Sequence, residues 1–147
     1  MIETLTAKLL QIFQSMAWND NTTPFTEVFD YKTEWSGSFP FLCFEYVWLE
    51  SEILDTTNNY RDYIFNIWIL QEITQVNGRR AASQALNKAM DHVINALDNN
   101  FTLDWLCEAG TLPVFGITEP MNIGNWSALV ANLQIVCKTI YNINGFN

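Results

Sequence analysis

Three stretches of this chain alternate with period two yet are apolar on both faces, which constrains the fold more than any other feature. From Phe41 to Glu50, one face carries Phe41, Cys43, Glu45, Val47 and Leu49, and the other carries Leu42, Phe44, Tyr46 and Trp48. From Tyr60 to Glu72, Tyr63, Phe65, Ile67 and Ile69 alternate with Ile64, Asn66, Trp68 and Leu70. From Trp126 to Tyr141, Ala128, Val130 and Val136 alternate with Leu129, Ala131, Leu133 and Ile135. β-Branched and aromatic residues in such runs, bounded by turn chemistry such as Asp55 to Asn59, are a strand signature. A sheet with one wet face would instead alternate apolar with polar. These strands therefore predict a sheet covered on both sides, either by folding back into a sandwich or by another subunit.

Two segments have helical spacing. Ile2, Leu5, Leu9, Ile12, Phe13 and Met16 form the first stripe, which ends before Asn19-Asp20-Asn21 and Pro24. The second opens at Asn77-Gly78 and carries Ala82, Leu86, Ala89 or Met90, Val93 and Leu97, then stops at Asp98-Asn99-Asn100. Each stripe is read as a core-packing face. Shorter strands are expected from Phe25 to Tyr31, Phe101 to Cys107 and Pro113 to Glu119. The order is α-β-β-β-α-β-β-β. It predicts an α+β fold with a mostly antiparallel β-sheet and two main helices packed on one face. With no internal repeat or linker, residues 1–147 read as a single domain.

Seven Lys and Arg face sixteen Asp and Glu, so the formal net charge is −9. A sequence-independent nucleic-acid binder needs cations to displace phosphate counterions, and adsorption to anionic lipid needs them too. Both classes are disfavoured. Only 16% of residues are charged while 14% are aromatic, a combination expected of surface buried between subunits. Met1-Ile2-Glu3-Thr4-Leu5 lacks the basic start of a signal peptide, and the apolar stretch Tyr63 to Leu70 is too short to span a bilayer. Cys43, Cys107 and Cys137, odd in number and scattered, fit reduced thiols in a cytosolic product.

The residues offer little catalytic chemistry. His92 lies mid-helix, and its neighbour Asp91 points elsewhere around the helix. No Cys-x-x-Cys or His-Glu-x-x-His pattern suggests a metal, and no glycine-rich loop suggests a phosphate cradle. Glu45, Glu27 and Glu34 are the carboxylates to consider for a two-acid glycosidase, but a lone Glu in an aromatic-flanked strand reads better as an edge or interface residue. No enzyme, cofactor or metal is expected. Arg79-Arg80 is the single basic doublet, placed where a helix dipole slightly disfavours cations; a solvated pair and a partner contact both fit.

Three features together resemble a known family. They are the leading amphipathic helix, the Gly37-Ser38-Phe39-Pro40 loop feeding the apolar run Phe41 to Trp48, and the Gly124-Asn125-Trp126 loop feeding a long final strand after a single long helix. In this order they resemble the tail terminator, or head–tail joining, proteins of long-tailed bacteriophages, also called minor tail protein U or tail completion proteins. The resemblance runs from Ile2 to about Ile143; Gln71 to Gly78 and Phe101 to Glu119 have no matching motif. It implies a virion structural protein, assembled in the host cytoplasm and located at the neck of the tail. Such a protein forms a hexameric homo-oligomer that ends tail-tube polymerisation and meets the tail-tube protein on one side and the head connector or stopper on the other. DNA passes through without specific binding, and no membrane is involved.

On this reading Phe44, Trp48, Trp68 and Trp126 are candidate subunit-interface residues. Glu50, Glu52 and Asp55 are candidate channel-lining acids, since a negative lumen would not grip passing DNA. Two alternatives stand beside it. One is another connector component, a stopper or tail-tube subunit, although Asn58 to Tyr60 is short for a polymerisation loop. The other is a small carbohydrate- or ligand-binding α+β domain that uses its tryptophans.

Overall fold

The computed structural model describes residues 1–16, 24–33, 39–53, 57–73, 78–100, 102–103, 106–107, 111–123 and 126–142. Elements run in the order α1 (Ile2–Ser15), β1 (Glu27–Phe29), β2 (Phe41–Ile53), β3 (Asn58–Glu72), α2 (Gly78–Asn99), β4 (Thr111–Ile123) and β5 (Trp126–Asn142). The strands form one sheet in the spatial order β1-β2-β3-β5-β4. Every pairing is antiparallel except β1 with β2, so the sheet is mixed and mostly antiparallel. The α+β class is as expected, with one strand fewer among the described residues than the sequence reading placed.

β3 and β5 form the centre, paired without interruption from Asn58↔Asn142 to Glu72↔Ala128. β4 takes an edge. Pro113 and Pro120 lie within it, and a residue without an N–H is tolerated only where one side of a strand needs no donor. At the other edge β1 is only three residues long, against the expected Phe25 to Tyr31. It pairs with Phe41, Leu42 and Cys43 alone. Thr26 anchors its start by donating from its backbone N–H (2.8 Å) and its hydroxyl (2.9 Å) to the carbonyl of Pro40, which follows a cis Phe39-Pro40 peptide.

Both helices lie on one face. Leu5, Leu9, Ile12 and Phe13 of α1, and Ala82, Leu86, Ala89, Val93 and Leu97 of α2, join Leu42, Phe44, Phe65, Ile67, Ile69, Leu133 and Ile135 of the sheet in one core. Phe44 sits at its middle, with Phe13 edge-on at 5.3 Å and Phe65 at 6.4 Å between ring centroids. α2 starts at Gly78, whose φ of +65° is the left-handed conformation glycine adopts without strain. It ends where the Asn100 side-chain amide donates to the Ala96 carbonyl at 2.8 Å, satisfying one of the orphan acceptors of the last turn.

The strand expected from Phe101 to Cys107 is absent among the described residues of that stretch. Thr102, Leu103 and Leu106 lie in turns, closed by Cys107 N–H donating to the Thr102 carbonyl at 2.9 Å. Leu103 and Cys107 are both buried, four residues apart, which is helical or turn-like spacing and not alternation. Burial of these two side chains in the shared core outweighs the local strand propensity.

Candidate functional site

The second face of the sheet divides into a covered half and an uncovered half. Over the covered half, residues 29–33 and Phe39 fold across Phe41, Cys43, Leu70 and Val130. Phe29 meets Phe41 edge-on at 5.9 Å, and Phe39 lies 5.3 Å from the same ring. Lys32 Nζ stands 4.8 Å above the Trp68 ring, and the Cys43 thiol donates to the Thr33 carbonyl at 3.6 Å. Burial, the largest influence, pushes the Cys43 thiol above its ordinary value. The chain's own segment thus supplies part of the cover that the two-faced strands demanded.

The uncovered half begins at an irregularity. β2 shifts register between Tyr46 and Trp48, so Val47 is an extra residue and Trp48 pairs with Ile64. An inserted residue re-aims everything beyond it. Leu42, Phe44 and Tyr46 point to the helix side, but Trp48, Glu50 and Glu52 share the opposite face with Ile64, Asp62 and Tyr60. Simple alternation had put Phe44 and Trp48 on one face; the bulge separates them.

Beyond the bulge, large apolar side chains are exposed on both sides of the sheet. Trp48 is 40% exposed and Ile140 41% on the open face, while Leu49 is 39% and Ile53 81% exposed on the other. The outer edge of β2 from Phe44 to Ile53 pairs with no strand among the described residues. Charge at this end is mixed, with Glu50, Glu52 and Asp62 beside Arg61 and Lys138. Glu50 lies directly opposite Asp62, an unfavourable like-charge pairing. Lys138 Nζ is 3.7 Å from Asp62 Oδ1 and 4.8 Å from the Tyr60 ring centroid. That separation is an electrostatic contact and not a hydrogen bond, and Asp62 Oδ1 is buried without a hydrogen-bond partner. The Trp48 indole N–H donates to Glu50 Oε1 at 3.1 Å.

The sequence-derived candidates separate accordingly. Phe44 is fully buried by its own chain and is withdrawn as an interface residue, because α1 and Phe65 already occupy its surroundings. Trp48 is on the open face. Trp68 is on the same face but half-buried under Lys32. The Trp126 backbone pairs with Ile123 at the start of β5, and its side chain lies outside what the structure describes. Glu50 and Glu52 are exposed beside Trp48, so the expected interface and channel residues share one surface. Asp55 lies outside the described residues, as does Glu34.

No catalytic geometry emerges among the described residues. Glu27 pairs beside Phe41, four residues along from Glu45, a separation of about 13 Å along the strand. No group of three or more His, Cys, Asp or Glu gathers as metal ligands among the described residues. Cys107 and Cys137 are buried in the core as free thiols in mutual hydrogen-bond contact, which with burial pushes Cys137 upward. The sequence reading missed that pairing; no spacing signal links residues thirty positions apart. It also missed the bulge, since Val47 is apolar and fits either strand register. The chain matches no protein-family model, and no curated protein is similar enough to lend it a role.

Proposed function

We propose that this protein is a structural component of a phage neck, a ring that ends tail-tube polymerisation and joins the tail to the head connector while leaving a passage for DNA. The observation that carries the reading is the unfinished half of the sheet. Trp48, Leu49, Ile53 and Ile140 are exposed together at one end, on both faces, beside a strand edge that is unpaired among the described residues. Exposed apolar patches and open edges of this kind are association surfaces. The order of elements, one long helix between a β2–β3 hairpin and a β4–β5 hairpin, supports the family resemblance. A net charge of −9 suits a passage that DNA crosses without being held. The ring acts by geometry and not by chemistry: it covers the growing tube end and offers the connector a new surface.

The test is mass and placement. Light scattering of the purified chain, alone and with purified tail tubes, is expected to give a hexamer, or a monomer that becomes hexameric on the tubes. Electron microscopy should then show the density at one tube end, with elongation stopped. A monomer that neither assembles nor halts elongation would refute the proposal.

A further inference from the structure

Cys107 and Cys137 reach the core from different kinds of structure and meet there. Cys137 lies on β5, on the helix side of the sheet with Leu133 and Ile135. Its backbone pairs with Tyr63 on one side and Thr111 on the other. Cys107 closes the turn that follows α2, where its N–H donates to the Thr102 carbonyl at 2.9 Å. It precedes Thr111 by four residues in sequence, and Thr111 is the β4 residue directly beside Cys137. Cys107 is 1% exposed and Cys137 0%, and both belong to the core between helices and sheet. The Cys137 thiol donates to the Cys107 sulfur.

The third cysteine stands apart from this pair. Cys43 packs with Phe41, Leu70 and Val130 on the opposite face of the sheet, where its thiol donates to the Thr33 carbonyl. The two paired sulfurs are also unequal. The hydrogen bond from Cys137 is the largest influence on Cys107 and holds its thiol below the ordinary value, while the same bond and burial push Cys137 upward. The thiolate is the reacting form in thiol oxidation, so Cys107 is the sulfur that reacts first and Cys137 the one that resolves it. Burial selects the oxidant: hydrogen peroxide is uncharged and close to water in size, whereas a peptide disulfide is far too large to enter a packed core.

We propose that Cys107 and Cys137 are a peroxide-responsive pair that closes to an internal disulfide and fastens the turn after α2 to β5. In the first step Cys107 gives up its proton and its sulfur attacks one peroxide oxygen. The O–O bond breaks, an S–O bond forms, and the departing hydroxide takes up the released proton and leaves as water. In the second step the Cys137 sulfur attacks the Cys107 sulfur. The S–O bond breaks, and the hydroxyl leaves as water with the Cys137 proton. Together the two thiols lose two electrons, and one peroxide is reduced to two waters. The new bond closes a loop that holds β4 and the first part of β5, which restricts the unfolded chain. A reducing compartment leaves the pair open and an oxidising one closes it. This inference does not depend on the ring reading.

The experiment treats the full, reduced chain with hydrogen peroxide, folded and in urea. Intact mass, thiol counting in denaturant and cleavage after acidic residues read the product. Glu108 and Glu119 lie between the two cysteines, so cleavage separates them unless they are joined. The folded chain should lose two hydrogens, keep the Cys43 thiol and link Cys107 to Cys137, all reversed by dithiothreitol. The ratio of this linkage to those through Cys43 should be at least about ten-fold higher in the folded chain than in urea, where loop length alone favours it. The thermal midpoint of the oxidised chain should rise by about 5 °C or more. Cys43→Ala should leave the linkage unchanged, and Cys107→Ala should abolish it, with circular dichroism checking each fold. A folded chain that keeps all three thiols, or adds oxygen at Cys107 without linking, overturns the proposal. So does a linkage ratio equal in both states, a product joined only between molecules, or a midpoint that does not rise.

Discussion

Phe44 shows what one side chain does in this core. It contacts α1 through Phe13 and the central sheet through Phe65, and no part of it reaches solvent. Truncation there opens a cavity that neighbours on two layers cannot both fill. Phe44→Ala is expected to lower unfolding free energy by about 3–5 kcal/mol, measured by urea titration. Cys43 makes a different kind of statement. Burial keeps its thiol protonated above the ordinary value of 9.0. The unfolded chain loses that proton first, so the folded state binds more protons in the alkaline range and stability falls as pH rises there. The contribution is fully present below the unfolded thiol's pKa and is lost as pH climbs through the raised one. Midpoints of urea unfolding should therefore fall from pH 8 to pH 10, and Cys43→Ala should flatten part of that slope.

The elements owe their positions to a few residues with special conformations. Gly78 starts α2 at φ +65° with no atom near the place a Cβ would occupy, so conformation and not crowding demands glycine. Gly78→Ala is expected to cost about 1 kcal/mol, read from the thermal or urea midpoint, with the native fold retained. Val47 governs β2 differently, as the extra residue at its register shift. Its bulge turns Trp48, Glu50 and Glu52 toward the open face and leaves Leu49 and Ile53 on the other. Pro113 and Pro120 keep β4 at an edge, where their missing N–H groups leave no central ladder broken.

In the whole molecule, the helix layer and the uncovered sheet end lie apart, so the proposed assembly can be tested separately from folding. The helices complete the core on one face. Trp48 and Ile53 stand outside that core and contribute little to it. Trp48→Ser with Ile53→Ser should leave the monomer's unfolding free energy within about 0.5 kcal/mol of the unaltered chain. The same variant should assemble far more weakly by sedimentation velocity. A loss of both together would mean that the sheet end holds the monomer fold.

Both helices, the long strands and the α+β class were legible in the sequence, because periodicity reports which side chains face a common core. Leu5, Leu9, Ile12 and Phe13, and the stripe from Ala82 to Leu97, are buried where their spacing placed them. The two-faced apolar strands likewise signalled a sheet that needs cover on both sides. Periodicity carries no account of what provides that cover, or where an inserted residue reverses the alternation. Only the tertiary structure showed that residues 29–33 and Phe39 shield half of the second face, that Phe44 is enclosed while Trp48 is not, and that Phe101 to Cys107 is no strand among its described residues. The reason is physical. Local pattern records how a segment presents its side chains, whereas register, bulges and layer contacts depend on the competing burial of residues far apart in the chain.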